Sequence, residues 1–220
     1  MRRTKIDAQQ TREALLDAAE VLFAQRGVAR TSLQEVAIAA GVTRGAVYWH
    51  FEDKVALFNA MMARTTLPLE DILKAIDTDK APEPLVELKR SMLAALQRIV
   101  HDPRTRRVFE ISQTKLEYVD ELLGVRTRQL DLQKSCRAHI EATFERARAL
   151  GQLPEQANAR GLAISYMAIF DGLISTWMLD PTVFDLVDMA EHSIDLYLDG
   201  LQARASCPSV ASSKMRSSSK

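Results

Sequence analysis

The sequence predicts an all-α protein, with a small helical unit at the N-terminus and a larger helical domain behind it. Two observations lead there. Only 8 Gly and 7 Pro occur in 220 residues, which leaves little room for turns. Apolar side chains recur at helical spacing along most of the chain, and no stretch alternates as a strand does. A hydrophobic content of 47% with 26% charged residues is that of a folded globular chain and excludes a disordered one.

Gly and Pro divide the chain into successive helices. The first covers about residues 7–26 and stops at Gly27. Leu15, Ala18, Ala19, Leu22 and Phe23 form its apolar stripe, while Glu13, Asp17 and Glu20 keep helical spacing on another face. Two short helices follow at about 32–39 and 43–49, then a longer one from near Asp53 towards Lys74. Pro82 and Pro84 mark a connection, and Pro84 suits the first turn of a helix that ends before Pro103. Another helix starts near Arg104, and a long one covers about 120–149, closed by Gly151 and Pro154. The last two cover about 155–179 and 181–203, with Pro181 opening the second. From Ser206 onward, seven serines without helical period predict a disordered tail. The domains therefore read 1–54, 55–203 and 204–220.

Formal charge sums to zero, 29 basic against 29 acidic side chains, which by itself argues against a polyanionic partner. The sum hides a division. Residues 1–54 are net +1, residues 55–154 net +2, residues 155–200 net −7 and the last 20 residues net +4. The two cysteines, Cys136 and Cys207, lie far apart and form no metal-ligand pattern, which suits a reducing compartment. The charged start shows no secretory signal, so a cytoplasmic location is expected. Residues 161–179 resemble a membrane span, but Asp171 near the centre costs roughly 2.5–3.5 kcal/mol on insertion scales. The expectation is a helix buried on all sides: its own core covers one face and a symmetry mate the other.

The segment from Leu33 to Phe51 decides the partner. It reads as two short helices joined by a tight turn, a helix-turn-helix. Ala37 is small where the helices cross, Gly41 supplies the positive φ of the turn, and Thr43 is a good N-cap. Val36, Ala40, Val42 and Val47 make the seam between them. Outside that seam stand Thr43, Arg44, Gly45, Tyr48, Trp49 and His50, groups that hydrogen-bond phosphates and bases or pack on sugars and thymine methyls. Gly45 and Ala46 keep the surface low enough to enter a major groove, Lys54 adds a charge at the next helix start, and Arg2, Arg3, Lys5 and Arg12 form a basic arm. Double-stranded operator DNA is the partner this pattern fits.

These residues carry a resemblance. The run Thr31-Ser-Leu, Val36-Ala37 and Ala40 to Lys54-Val-Ala-Leu-Phe resembles the DNA-binding domain of TetR-family repressors over about residues 7–60. The wider chain is similar to the AcrR/TtgR branch, repressors of multidrug efflux pumps, through Arg2-Arg-Thr-Lys5, residues 48–51, 102–107, 151–154, 171–174 and Trp177. The resemblance implies a cytoplasmic, homodimeric, ligand-relieved repressor whose last two helices pair across the two-fold axis. It adds Thr31 to the expected DNA-binding set.

In the larger domain, the apolar helix 161–179 and the amphipathic final helix, with Val187, Ala190, Ile194, Leu198 and Leu201 opposite its acids, supply stripes for a four-helix dimer contact. Asp171, in an apolar setting, must be paired, hydrated or protonated. It reads either as an inter-helix hydrogen-bond partner or as the anchor of a greasy cavity for a small hydrophobic or aromatic inducer. The resemblance favours the cavity. The other expected wall residues are Met92, Leu96, Phe109, Gln113, Cys136, Ile140, Met167, Phe170, Ile174 and Trp177. Phe109 and Gln113 stand where related repressors often carry polar side chains. Arg104, Arg106 and Arg107 read as a solvated face or a link to the head, in preference to a second DNA patch.

Catalysis is not expected. His50, His101, His139 and His192 have no metal spacing, and there is no nucleophile elbow or phosphate-cradling loop. No cofactor or metal is expected either. An alternative that retains DNA binding lets the larger domain answer to a protein partner or a metabolic ligand.

Overall fold

The computed structural model describes residues 5–116 and 123–206, which form nine helices and no strand among the described residues. In order they are α1 (Lys5–Arg26), α2 (Leu33–Ala39), α3 (Arg44–His50), α4 (Lys54–Lys74), α5 (Pro84–His101), α6 (Pro103–Thr114), α7 (Leu123–Ala149), α8 (Ala159–Leu179) and α9 (Leu186–Ser206). Arg2, Arg3, Cys207, the start of the expected 120–149 helix and the tail beyond residue 206 lie outside the described residues. The final helix continues through Ser206, three residues past its expected end and into the segment assigned to the tail.

Polar caps set the helix starts that periodicity placed too early. Residues 155–158 form a turn, and the Asn158 side chain accepts from Gly161 N at 3.1 Å, so α8 opens at Ala159. Residues 181–184 likewise turn. Asp185 Oδ1 accepts from Val187 N and Asp188 N, both at 2.9 Å, and starts α9 five residues after Pro181. Asp102 caps α6 by accepting from Arg104 N and Thr105 Oγ1, which holds its carboxyl below the usual carboxylate range. Pro68 sits inside α4, where the sequence reading ran the helix through without a break.

Two apolar cores result. Leu15, Leu16, Ala19 and Phe23 of α1 pack with Val36, Val47, Phe51, Phe58 and Met61, so α1 to α3 and the first half of α4 close around one core. Val108 and Ile111 of α6 reach into the same core and seat the head on the larger domain. The second core gathers α5, α7, α8 and α9 around Leu88, Leu96, Ile99, Phe144, Tyr166, Ile174 and Ile194. One face of α8 packs on its own chain's core, as expected of that face, whereas the α9 stripe expected at the dimer contact is used within the chain: Ala190, Ile194 and Leu198 are buried in this second core. Ile164 is 49% exposed and Leu179 81%, because no described element of the chain covers the outer faces of α8 and α9.

Candidate DNA-contacting head and ligand cavity

In the head, Ser32 and Glu35 cap α2 reciprocally: the hydroxyl accepts from Glu35 N at 3.2 Å, and the carboxylate accepts from Ser32 N at 2.8 Å. Gly41 takes φ 68°, and Val42 N then donates to Ala37 O at 3.0 Å, which turns the chain into α3. Thr43 Oγ1 accepts from Ala46 N at 3.3 Å. Thr43, Arg44, Gly45, Tyr48 and Trp49 face outward as expected, with Trp49 71% exposed. Large apolar groups left in water on a polar helix mark a contact surface. The Arg44 guanidinium lies 5.7 Å from the Tyr48 ring centre, and His50 is half-buried with its ring edge-on to Trp49 at 4.6 Å.

Three expectations for the head need correction. Thr31 is buried, and its hydroxyl donates to Gly27 O at 2.9 Å, so it holds the corner after α1 instead of presenting a side chain to DNA. Lys54 is also buried. Its Nζ donates to Ala29 O at 3.0 Å, tying α4 to the loop before α2, so its ammonium serves the head's own fold. Ala46 points inward and leaves Gly45, with open space above its Cα, to keep the surface low. Of the basic arm, Lys5 is exposed, while Arg12 packs its guanidinium 5.4 Å from the Phe51 ring centre.

The larger domain holds a partly open cavity of about 210 Å³, to which four helices each give one face at helical spacing. Thr66, Leu69 and Glu70 come from α4; Leu88, Ser91, Met92 and Ala95 from α5; Leu132, Gln133, Cys136 and Ile140 from α7; and Tyr166, Met167, Phe170 and Asp171 from α8. Phe109 of α6 completes it. Seven expected wall residues are brought together: Met92, Phe109, Cys136, Ile140, Met167, Phe170 and Asp171. Partial desolvation raises the Asp171 carboxyl above the ordinary aspartate value, while the side chain keeps contact with solvent. Tyr166, also a wall residue, donates its hydroxyl to Leu88 O at 2.9 Å, and burial raises its pKa as well.

Four expected wall residues lie elsewhere. Leu96 and Ile174 are core residues, Ile174 one turn beyond Phe170. Trp177, a turn further, packs under Arg106, whose guanidinium is 4.7 Å from a ring centre. Gln113 is exposed and accepts from Ser175 Oγ at 3.4 Å. Sequence reasoning missed Thr66, Leu69, Glu70, Leu88, Ser91, Ala95, Leu132, Gln133 and Tyr166. The signal for several was present, since 88, 91 and 95 are the helical neighbours of Met92 on one face.

Arg104 and Arg107 resolve as the link to the head. Arg107 Nη1 lies 2.7 Å from Glu20 Oε1, and Arg104 Nη2 lies 2.9 Å from Asp17 Oδ1. Arg64 of α4 joins the same acidic stripe, 2.8 Å from Asp17 Oδ1 and 3.0 Å from Glu13 Oε2.

Two family models match the chain. Residues 15–61 fit the N-terminal domain described as bacterial regulatory proteins of the tetR family, and residues 83–203 fit the C-terminal region of MAATS-type transcriptional repressors. The chain belongs to the TetR family of transcriptional regulators. This TetR-family repressor is 37% identical over 202 residues to the regulator TtgR of Pseudomonas putida, covering 92% of this chain and 96% of that one. It is 36% identical to the repressor BepR of Brucella suis, covering 94% and 100%. Among solved structures it matches NalD of Pseudomonas aeruginosa, the secondary repressor of the MexAB-OprM multidrug efflux pump, at TM-score 0.80 and 35% identity, over 89% and 97% of the two chains. It also matches SmeT, the repressor of the Stenotrophomonas maltophilia pump SmeDEF, in a complex with triclosan: TM-score 0.80, 32% identity, 90% and 95% covered. The chain is a regulator and not an enzyme.

Proposed function

We propose that this TetR-family repressor binds operator DNA as a homodimer in the cytoplasm, is released by a small hydrophobic or aromatic compound held in the α4–α5–α7–α8 cavity, and controls a multidrug efflux pump operon. The observation that carries the reading is the cavity itself. It is walled by apolar and adaptable side chains with few polar groups, it sits below a head whose α3 exposes Arg44, Tyr48 and Trp49, and α4 and α6 run to both. Ile164 and Leu179 on α8, with Met189 and Leu196 on α9, leave an apolar outer face that a second copy covers as a four-helix contact. Two heads held this way read two half-sites about one helical turn, ~34–36 Å, apart.

Release follows from two states that differ in head separation. The ligand must favour the state whose spacing no longer matches the operator, because a compound with equal affinity for both shifts nothing. The cavity, about 210 Å³, is at the small end for a drug-sized site and suits a compact, largely apolar compound. The pump assignment draws on the relatives, NalD and SmeT being repressors of such pumps. The test is fluorescence anisotropy of labelled intergenic DNA from beside the gene, titrated with protein and then with triclosan. Tight binding followed by release supports the reading. Binding that only a protein partner reverses overturns the small-molecule part.

A further inference from the structure

We propose that the junction between the head and the larger domain holds a binding site for a small polyvalent oxyanion of the phosphate type, separate from the apolar cavity. The site is an open cleft of about 460 Å³, lined chiefly by Glu20 of α1, Arg64 of α4, Arg98 of α5, and Asp102, Arg104 and Arg107 at the α5–α6 corner. It shares no lining residue with the cavity. The run Asp102-Pro-Arg-Thr-Arg-Arg107 builds half of it. Three residues apart in α6, Arg104 and Arg107 fall on one face and meet α1, whereas Arg106 turns the other way, onto Trp177. Arg98 stands in the last turn of α5, close enough to Asp102 for its charge to help hold that carboxyl low.

Guanidiniums gathered at one junction repel one another, and the acids beside them are already engaged. At the start of α6, Asp102 Oδ1 accepts from Arg104 N and Oδ2 from Thr105 Oγ1. Glu20, only 3% exposed, gives Oε1 to Arg107 and Oε2 to Arg104. Asp17 Oδ1 is shared by Arg64 and Arg104. Donors remain in excess. Arg64 reaches Glu13 and Asp17 through Nη2, and its buried Nη1 has no hydrogen-bond acceptor. Arg98 is exposed and has no ion pair among the described residues. A guanidinium presents its N–H groups as a planar fork that matches a phosphate, and it keeps its charge throughout the physiological range. An oxyanion in the cleft supplies the acceptors that the carboxylates lack. Arg98 is its first partner, and Arg104 and Arg107, each close to half exposed, turn their outer N–H groups to the same space. Bound there, it ties α5 and α6 of the larger domain to Arg64 beside the head.

The test uses the full-length protein without DNA, pyrophosphate as the probe, and sodium chloride at matched ionic strength as the control. Calorimetry should show saturable pyrophosphate binding. At about a hundredfold excess over Kd, the thermal midpoint should rise by roughly 5–10 °C. Arg98→Gln, which breaks no ion pair, should leave the ligand-free midpoint within about 2 °C of wild type. It should weaken pyrophosphate binding about tenfold or more, the scale of one charge-assisted hydrogen bond. Arg90→Gln removes the same charge from an exposed position of α5 outside the cleft, and should bind pyrophosphate as wild type does. Operator affinity in phosphate-free buffer should be unchanged by Arg98→Gln. No saturable binding beyond the chloride control, or equal losses in Arg98→Gln and Arg90→Gln, overturns the inference. A fall in operator affinity of about tenfold in Arg98→Gln also overturns it, and assigns the cleft to a DNA phosphate instead.

Discussion

The head and the cavity were built from sequence signals of different reach. In the head, everything that matters lies within one run of about 20 residues: the turn glycine, the N-cap, the seam and the exposed face of α3 are neighbours along the chain. In the cavity, four helices between residues 66 and 171 each contribute three or four side chains and α6 contributes Phe109, and none of them is distinctive alone. Local chemistry is readable because spacing within one helix fixes which side chains share a face. A cavity depends on how helices rotate against one another, and an apolar stripe does not say which part of it meets a void and which part meets a neighbour. Met92 and Leu96, one turn apart on α5, illustrate this: the first lines the cavity and the second fills the core.

The same contrast explains the two misplaced residues of the head. The resemblance places Thr31 in the DNA-binding set, and the positive charge of Lys54 at a helix start suggests a phosphate contact, but neither cue reports which way the side chain turns. Instead the Thr31 hydroxyl donates to the Gly27 carbonyl and the Lys54 ammonium to the Ala29 carbonyl, which holds both side chains against the head's own backbone. Helix identity and order were legible throughout, whereas the starts of α8 and α9 were set by Asn158 and Asp185, short-range caps that periodicity does not register.

Variants confined to one region should leave the other unchanged. The largest effect is expected from Arg44→Ala combined with Tyr48→Ala. At about 1–3 kcal/mol per lost specific contact, operator affinity should fall on the order of 100-fold or more, while calorimetric triclosan affinity stays unchanged. Loss of both would show that the head is not separable from the cavity. Next, Ala95→Phe should fill part of the cavity and lower ligand affinity about tenfold or more, with operator binding retained by anisotropy. Gly41→Ala should cost about 1–2 kcal/mol in a thermal melt, since φ 68° strains any other residue although nothing blocks the added methyl.

The smallest effect concerns Asp171. Its folded-state pKa is raised by burial, so ionisation destabilises the fold as pH rises through the unfolded and then the folded value. Asp171→Asn should therefore be slightly more stable than wild type at pH 7, and the advantage should vanish at pH below the ordinary aspartate range of about 3.9. Denaturant melts at both pH values check it, and a constant difference would show that burial is not the cause.

Release by a ligand in the cavity requires that the distance between the two heads change. Spin labels on the exposed position 34 of α2 in both protomers, read by double electron–electron resonance, measure that distance directly. One distance distribution is expected for the operator-bound dimer and a second, displaced by several ångströms, for the triclosan-saturated dimer without DNA. Superimposable distributions at full ligand occupancy would contradict it.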